Sequence, residues 1–263
     1  MLFRSKNKRI LLISPFEETL KEQIPIRHLL YDNVELFPCC QFITLKPPQT
    51  QADEPSAEFS IEFDKFKDNV NELLDKFESV ISEYTGAPHV VLTDSCTHAI
   101  ELCFRLNRIT SCEFTAFTYI SIVQLMRQLG VHYTLRSDYW GSAGEYQFHG
   151  TNIWDSARLL RRNMYRPGQI QCLSFGHGKP LSIGKAGAIL TDSYAQYREL
   201  SLMRSDGRDL LISPWERQQS FGEGYHYCPT LETCDLGLEK LSLVDQEPKY
   251  HQYPDLRTID FTS

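Results

Sequence analysis

The chain has 263 residues, 41% of them hydrophobic and 12% aromatic, enough apolar material for one large core with or without a small appendage. A formal net charge of −7 argues against a dedicated nucleic-acid binder, and no apolar run is long enough to span a bilayer. Cys39, Cys40, Cys96, Cys103, Cys112, Cys172, Cys228 and Cys234 follow no CxxC spacing, no local Cys/His pair nominates a metal site, and the N-terminus lacks the apolar core of a signal peptide, so a soluble, cytoplasmic protein with reduced thiols is expected.

In chain order, Arg9 to Pro15 reads as a short strand, and Pro47 to Ser60 as a polar connecting loop. Asp64 to Tyr84 is the clearest helix, with Phe66, Val70, Leu73, Leu74, Phe77, Val80 and Ile81 at helical spacing and Gly86 as its stop. A tight strand–turn–helix follows: His89 to Thr93, then Asp94-Ser95-Cys96, then a helix opening at Thr97. Phe117 to Leu129 predicts another amphipathic helix, ended by Gly130. Strands are expected at Val131 to Arg136, Thr151 to Trp154, Ile170 to Phe175 and Ala188 to Thr191, with a helix from about Tyr194. Alternating strands and helices predict a three-layer α/β/α sandwich with a mostly parallel sheet. The expected division is an N-terminal segment over 1–60, a large domain over 61–245 and a tail over 246–263.

Four features fall on turns after strands, where open α/β sheets hold their ligands. Ser95-Cys96-Thr97 at a helix start offers free N–H groups, the helix dipole and hydroxyls to a phosphate, although an ordinary Ser/Thr cap uses the same residues. Asp155, after Thr151 to Trp154, is placed to pair with a protonated pyridine nitrogen, or to cap a helix. Tyr119 could lie on an aromatic cofactor or in the core. Lys179, in the loop Gly176-His-Gly-Lys-Pro180 beside Ser174, suits Schiff-base chemistry with a carbonyl compound, pyridoxal 5'-phosphate (PLP) above all. Arg158, Arg204 and Arg208 are candidate clamps for a carboxylate or phosphate, or surface-paired arginines.

Taken in order, these motifs resemble the DegT/DnrJ/StrS-type PLP-dependent sugar aminotransferases, of the type I aspartate-aminotransferase fold. Phe77-Glu78 with Tyr84-Thr-Gly86 resembles the family's helix before its phosphate turn, and Thr93-Asp-Ser-Cys-Thr-His-Ala-Ile100 resembles the turn itself. Phe117-Thr-Tyr-Ile-Ser121 resembles the segment that sets an aromatic ring over the cofactor. Trp154-Asp-Ser-Ala157 resembles the Glu-Asp-x-Ala motif, and Ser174-Phe-x-x-x-Lys179 with Gly187 resembles the lysine motif. The resemblance implies Lys179 and Asp155 as catalytic, and Ser95, Cys96, Thr97, Tyr119, Asp155, Ala157, Ser174, Lys179 and His226 as cofactor-binding. Lys185 is the nearby lysine in the wrong register.

The chain departs from the family at five places. Cys96 replaces the glycine of the phosphate turn, and Arg158 replaces a Gln or His beside the cofactor. His226 replaces the Asn that reaches a partner subunit's phosphate. The stretch from Gly130 to Asp155 is short, and the small domain is reduced or missing. The resemblance implies a homodimer that moves an amino group from an amino acid such as glutamate to a keto-sugar or related carbonyl compound, with no membrane or nucleic-acid partner. Two alternatives stay open: another PLP reaction, decarboxylation or elimination, as in phage-type nucleotide or base modification, and a catalytically idle PLP-fold binding protein.

Overall fold

The computed structural model describes residues 2–4, 10–12, 64–139, 143–244 and 252–262, with side chains from residue 72 onward. The expected loop over Pro47 to Ser60 lies outside the described residues. Two units are present, residues 1–61 and 62–263. In the first, β1 (Leu2–Arg4) pairs antiparallel with β2 (Ile10–Leu12), Leu2 opposite Leu12.

The second unit opens with α1 (Asp64–Thr85), where Leu74, Phe77, Ile81 and Tyr84 recur on one buried stripe. Gly86 ends it at φ +77, in the left-handed region a glycine enters without strain. Then come β3 (His89–Thr93), α2 (Cys96–Leu106), β4 (Ser111–Thr115), α3 (Ile120–Leu129) and β5 (His132–Arg136). β6 (Tyr146–Gln147), β7 (Ile153–Asp155), β8 (Ile170–Ser174), β9 (Gly187–Thr191), α4 (Tyr194–Arg204) and α5 (Leu231–Lys240) follow.

The strand order is β3-β9-β8-β7-β6, with β4 and β5 as a parallel pair. An antiparallel bridge between Glu113 and His149 joins that pair to the far edge. β9 is antiparallel to both β3 and β8, β8 is parallel to β7, and β6 is antiparallel to β7. It follows that β3, β4, β5, β7 and β8 run in one direction, and β6 and β9 oppose them. Five of these seven strands thus share a direction in a mixed sheet, with the parallel contacts at β7–β8 and β4–β5.

Alternate residues of each strand serve opposite faces, which is why helices cover both. Val91, Ile170, Cys172 and Ile189 pack with α2 and α3, through Ile100, Cys103, Val123 and Met126. Val90, Leu92, Leu173 and Leu190 pack against the stripe of α1. The α/β/α layering is therefore present, and among the described residues no helix is long and apolar enough to cross a membrane.

Two elements differ from the sequence reading. The helix expected from Phe117 begins at Ile120, because the Phe117 N–H donates to Oγ1 of Thr115 at 3.1 Å and holds 117–119 in a turn. β4 was not expected at all. Its residues, Ser111-Cys-Glu-Phe-Thr115, offer just two hydrophobic side chains to the core, Cys112 and Phe114, beside the buried polar Thr115.

Candidate active site

The strands that run together end at one edge, at Thr93, Thr115, Asp155 and Ser174, so the loops after them share one side of the sheet. At the β3–α2 turn, Ser95 is the N-cap in extended conformation, and its Oγ accepts the His98 N–H at 3.2 Å. The ordinary capping role is thus real. Cys96 and Thr97 open α2, where the N–H groups of a first turn have no acceptor within the helix. Thr97 Oγ1 and Ser121 Oγ lie 2.8 Å apart, tying this turn to the start of α3.

Gly187, the first residue of β9, packs directly beneath that turn. A Cβ there would stand 2.6 Å from the Cys96 amide nitrogen and the Ser95 carbonyl carbon. The Cys96 thiol lies underneath, its Sγ 3.6 Å from the Cys172 carbonyl oxygen. Burial pushes its pKa well up. The Asp155 carboxylate adds to this and the Lys179 ammonium opposes it, so all three groups share one neighbourhood.

Asp155 ends β7 and is 6% exposed. Tyr146 donates its hydroxyl to Oδ2 at 2.8 Å, and the Ala157 N–H donates to Oδ1 at 2.9 Å. Burial raises the Asp155 pKa, while the Lys179 ammonium and these two donors pull it back. Tyr146 is itself held by Thr118, Oγ1 to OH 2.7 Å, and burial beside Asp155 drives its own pKa well up.

Lys179 sits in the β8–β9 loop, its N–H bonded to the Gly176 carbonyl at 3.2 Å. Its Nζ donates to the Tyr253 hydroxyl at 3.5 Å. Ser174 Oγ accepts the Gly176 N–H at 3.4 Å at the head of the same loop. Arg158, also buried, sets its guanidinium 5.6 Å from the Tyr253 ring centroid. Tyr119 is not a core residue: it is 58% exposed and meets the Tyr253 ring edge-on at 6.3 Å. Lys185 points elsewhere, to Oδ2 of Asp94 at 3.2 Å.

His226 is not gathered with these groups. Its side chain is 90% exposed and pairs with Asp206 at 3.2 Å. Arg204 does not serve as a clamp either, because it is buried in an ion pair with Glu78. Arg208 is taken up by Asp206 and the Ser205 carbonyl, both at 3.2 Å.

Sequence reasoning missed Tyr146, Thr118, Ser121 and Tyr253. Tyr146 reaches Asp155 only through the antiparallel register of β6 and β7, in which the two residues are direct partners. Tyr253 arrives from 98 positions beyond Asp155 with no motif to announce it.

Residues 63–135 match the model of the DegT/DnrJ/EryC1/StrS aminotransferase family. Helicobacter pylori PseC, an aminotransferase involved in the biosynthesis of pseudoaminic acid, superposes with a TM-score of 0.53 at 15% identity, over 70% of this chain and 63% of that one. The sugar aminotransferase CalS13 from Micromonospora echinospora gives 0.54 at 14%, over 70% and 66%. DesI, solved with its TDP-sugar product, gives 0.52 at 15%, over 65% and 53%. The chain therefore spans less than two thirds of each of these proteins, and no curated protein matches it. The fold is that of the type I PLP-dependent transferases, and residues 63–135 are similar to the DegT/DnrJ/EryC1/StrS aminotransferase family.

Proposed function

We propose that this chain is a PLP-dependent aminotransferase that passes an amino group from an amino acid such as glutamate to a keto-sugar or related carbonyl compound. The observation that carries the reading is the placing, at one edge of the sheet, of the buried Asp155 carboxylate within electrostatic reach of the loop lysine Lys179. Bound there, PLP supplies an electrophilic aldehyde carbon and an aromatic ring that delocalises negative charge.

The residues present fit such a group. Lys179 is the amine that would hold the aldehyde and afterwards carry a proton on Nζ. Asp155, oriented by Tyr146 and Ala157, would offer its carboxylate to the ring nitrogen in a site where burial strengthens the attraction between them. The N–H groups of Cys96 and Thr97, with the Ser95, Thr97 and Ser174 hydroxyls, would receive the phosphate. Tyr119 would cover the ring. Exposed His226 would serve a partner subunit's phosphate in a homodimer, as the family resemblance implies. DesI, with its TDP-sugar product, supports a nucleotide-linked sugar as the carbonyl side of the reaction.

The test is absorbance after incubation with PLP. Visible colour should develop with the wild type and with Lys185→Ala, and not with Lys179→Ala. Loss of that colour on adding glutamate marks amino-group transfer, whereas release of carbon dioxide marks decarboxylation. Failure of the wild type to colour at any PLP concentration overturns the reading.

A further inference from the structure

We propose that the segment 252–262 is a built-in competitor of the cofactor: the Tyr253 ring stands where the PLP ring would lie, and PLP binds only when that ring has swung out. The proposal rests on the cofactor reading above. Three side chains converge on Tyr253. Lys179 Nζ reaches its hydroxyl at 3.5 Å, Arg158 stands 5.6 Å from its ring centroid, and the Tyr119 ring meets it at 6.3 Å and 60°. The cofactor reading requires the same three to border the cofactor: the lysine at its aldehyde carbon, the tyrosine over its face, and the residue after Asp-x-Ala beside it. At atomic packing density two aromatic rings cannot share that volume.

The ring is brought there by an anchor three residues further on. Leu256 is 2% exposed, sits in the core beside α2 and α3, and donates its N–H to the Ala116 carbonyl at 3.0 Å. Arg127 fixes the far end, Nη1 to the Phe261 carbonyl oxygen 2.5 Å and guanidinium to ring 5.9 Å. Tyr253 itself, 9% exposed, is held by side-chain contacts at the site. Leu256 can therefore stay seated while Tyr253 leaves. Apparent affinity for the cofactor falls by the fraction of molecules in which the ring is out.

The measurement is a PLP titration of the full chain, read by visible absorbance, together with hydrogen exchange of residues 252–262. Tyr253→Ala should bind PLP roughly tenfold more tightly than the wild type. Tyr253→Phe should stay close to the wild type, because ring volume, rather than the hydroxyl, excludes the cofactor. Saturating PLP should speed exchange in 252–255 of the wild type and leave the Leu256 amide protected. Equal affinities for wild type and Tyr253→Ala overturn the competition and leave the cofactor reading standing. If Tyr253→Ala does not fold, unchanged exchange in the PLP-saturated wild type overturns the competition instead. Absence of colour in every form, Tyr253→Ala included, overturns the cofactor reading and the competition with it.

Discussion

Tyr146 donates its hydroxyl to Oδ2 of Asp155 at 2.8 Å from the opposing strand, and both residues are 6% exposed. Burial holds the Asp155 carboxyl above its ordinary range, and the tyrosine is one of the groups that limits the rise. A carboxyl raised on folding adds stability that is complete below its unfolded value, about 3.9, and is lost as pH climbs through the folded one. Tyr146→Phe removes a donor from the charged form, so its cost should grow with pH. We expect about 1–3 kcal/mol at neutral pH and less near pH 4. Urea unfolding of both proteins at the two pH values checks this, and an equal or larger loss in acid would refute it.

The ion pair of Glu78 and Arg204 joins α1 to α4 beneath β3, with both partners buried. Glu78 Oε1 also accepts the Leu92 N–H at 2.9 Å, and Arg204 Nη1 donates to the Leu92 carbonyl at 3.1 Å. Removing one partner leaves an uncompensated buried charge. Arg204→Met should therefore cost about 3–5 kcal/mol. The double variant Glu78→Leu/Arg204→Met should cost less than the single change, since no charge is then stranded. Denaturant midpoints of the three proteins decide it, and simple additivity would count against the pair.

How far the sequence carried the reading depends on whether the determinant was local. Asp64 to Tyr84 declared its helix through the spacing of Leu74, Phe77 and Ile81 and the stop at Gly86, all within one stretch of chain. The Asp155 and Lys179 motifs were legible for the same reason: each is a short strand followed by its own loop. What stayed hidden depends on pairing across distance. Tyr146 faces Asp155 only by register, and Ser121 meets Thr97 only because α2 and α3 lie side by side. Arg204 looked like a clamp because its buried partner, Glu78, lies 126 positions away. His226 looked like a cofactor ligand by resemblance, but within one chain its imidazole bonds Asp206.

Gly187 lets β9 approach the first turn of α2. Because its own backbone sits in an ordinary conformation, only the missing side chain matters. An alanine Cβ would stand 2.6 Å from the Cys96 nitrogen and 2.8 Å from the Ser95 carbonyl oxygen, both of them backbone atoms that no rotamer change can move aside. Gly187→Ala should cost about 1–3 kcal/mol by overpacking and shift the turn offered to the phosphate. Its PLP titration should show weaker binding than the wild type, while Gly150→Ala, with open space around the new carbon but a positive φ, should lose stability alone. Unaltered PLP affinity in Gly187→Ala would separate this turn from the cofactor.

Asp94 carries the acid-sensitive contact of the same turn. Its Oδ1 meets His98 Nδ1 at 2.5 Å, and its Oδ2 accepts from Lys185 at 3.2 Å. The His98 ring lies flat on Tyr227, centroids 3.7 Å apart. Burial alone would raise the Asp94 pKa, but the bonds and charges of His98 and Lys185 outweigh it and bring it below the ordinary value. A carboxyl lowered on folding adds stability above its unfolded value, about 3.9, and loses it as pH falls through the folded one. Asp94→Asn should therefore melt below the wild type at neutral pH, with the gap closing in strong acid. Lys185→Ala should have little effect, because the lysine side chain is 71% exposed and water screens its charge. Thermal unfolding across that pH range is the check, and a gap that persists unchanged into strong acid would show that Asp94 acts through packing rather than charge.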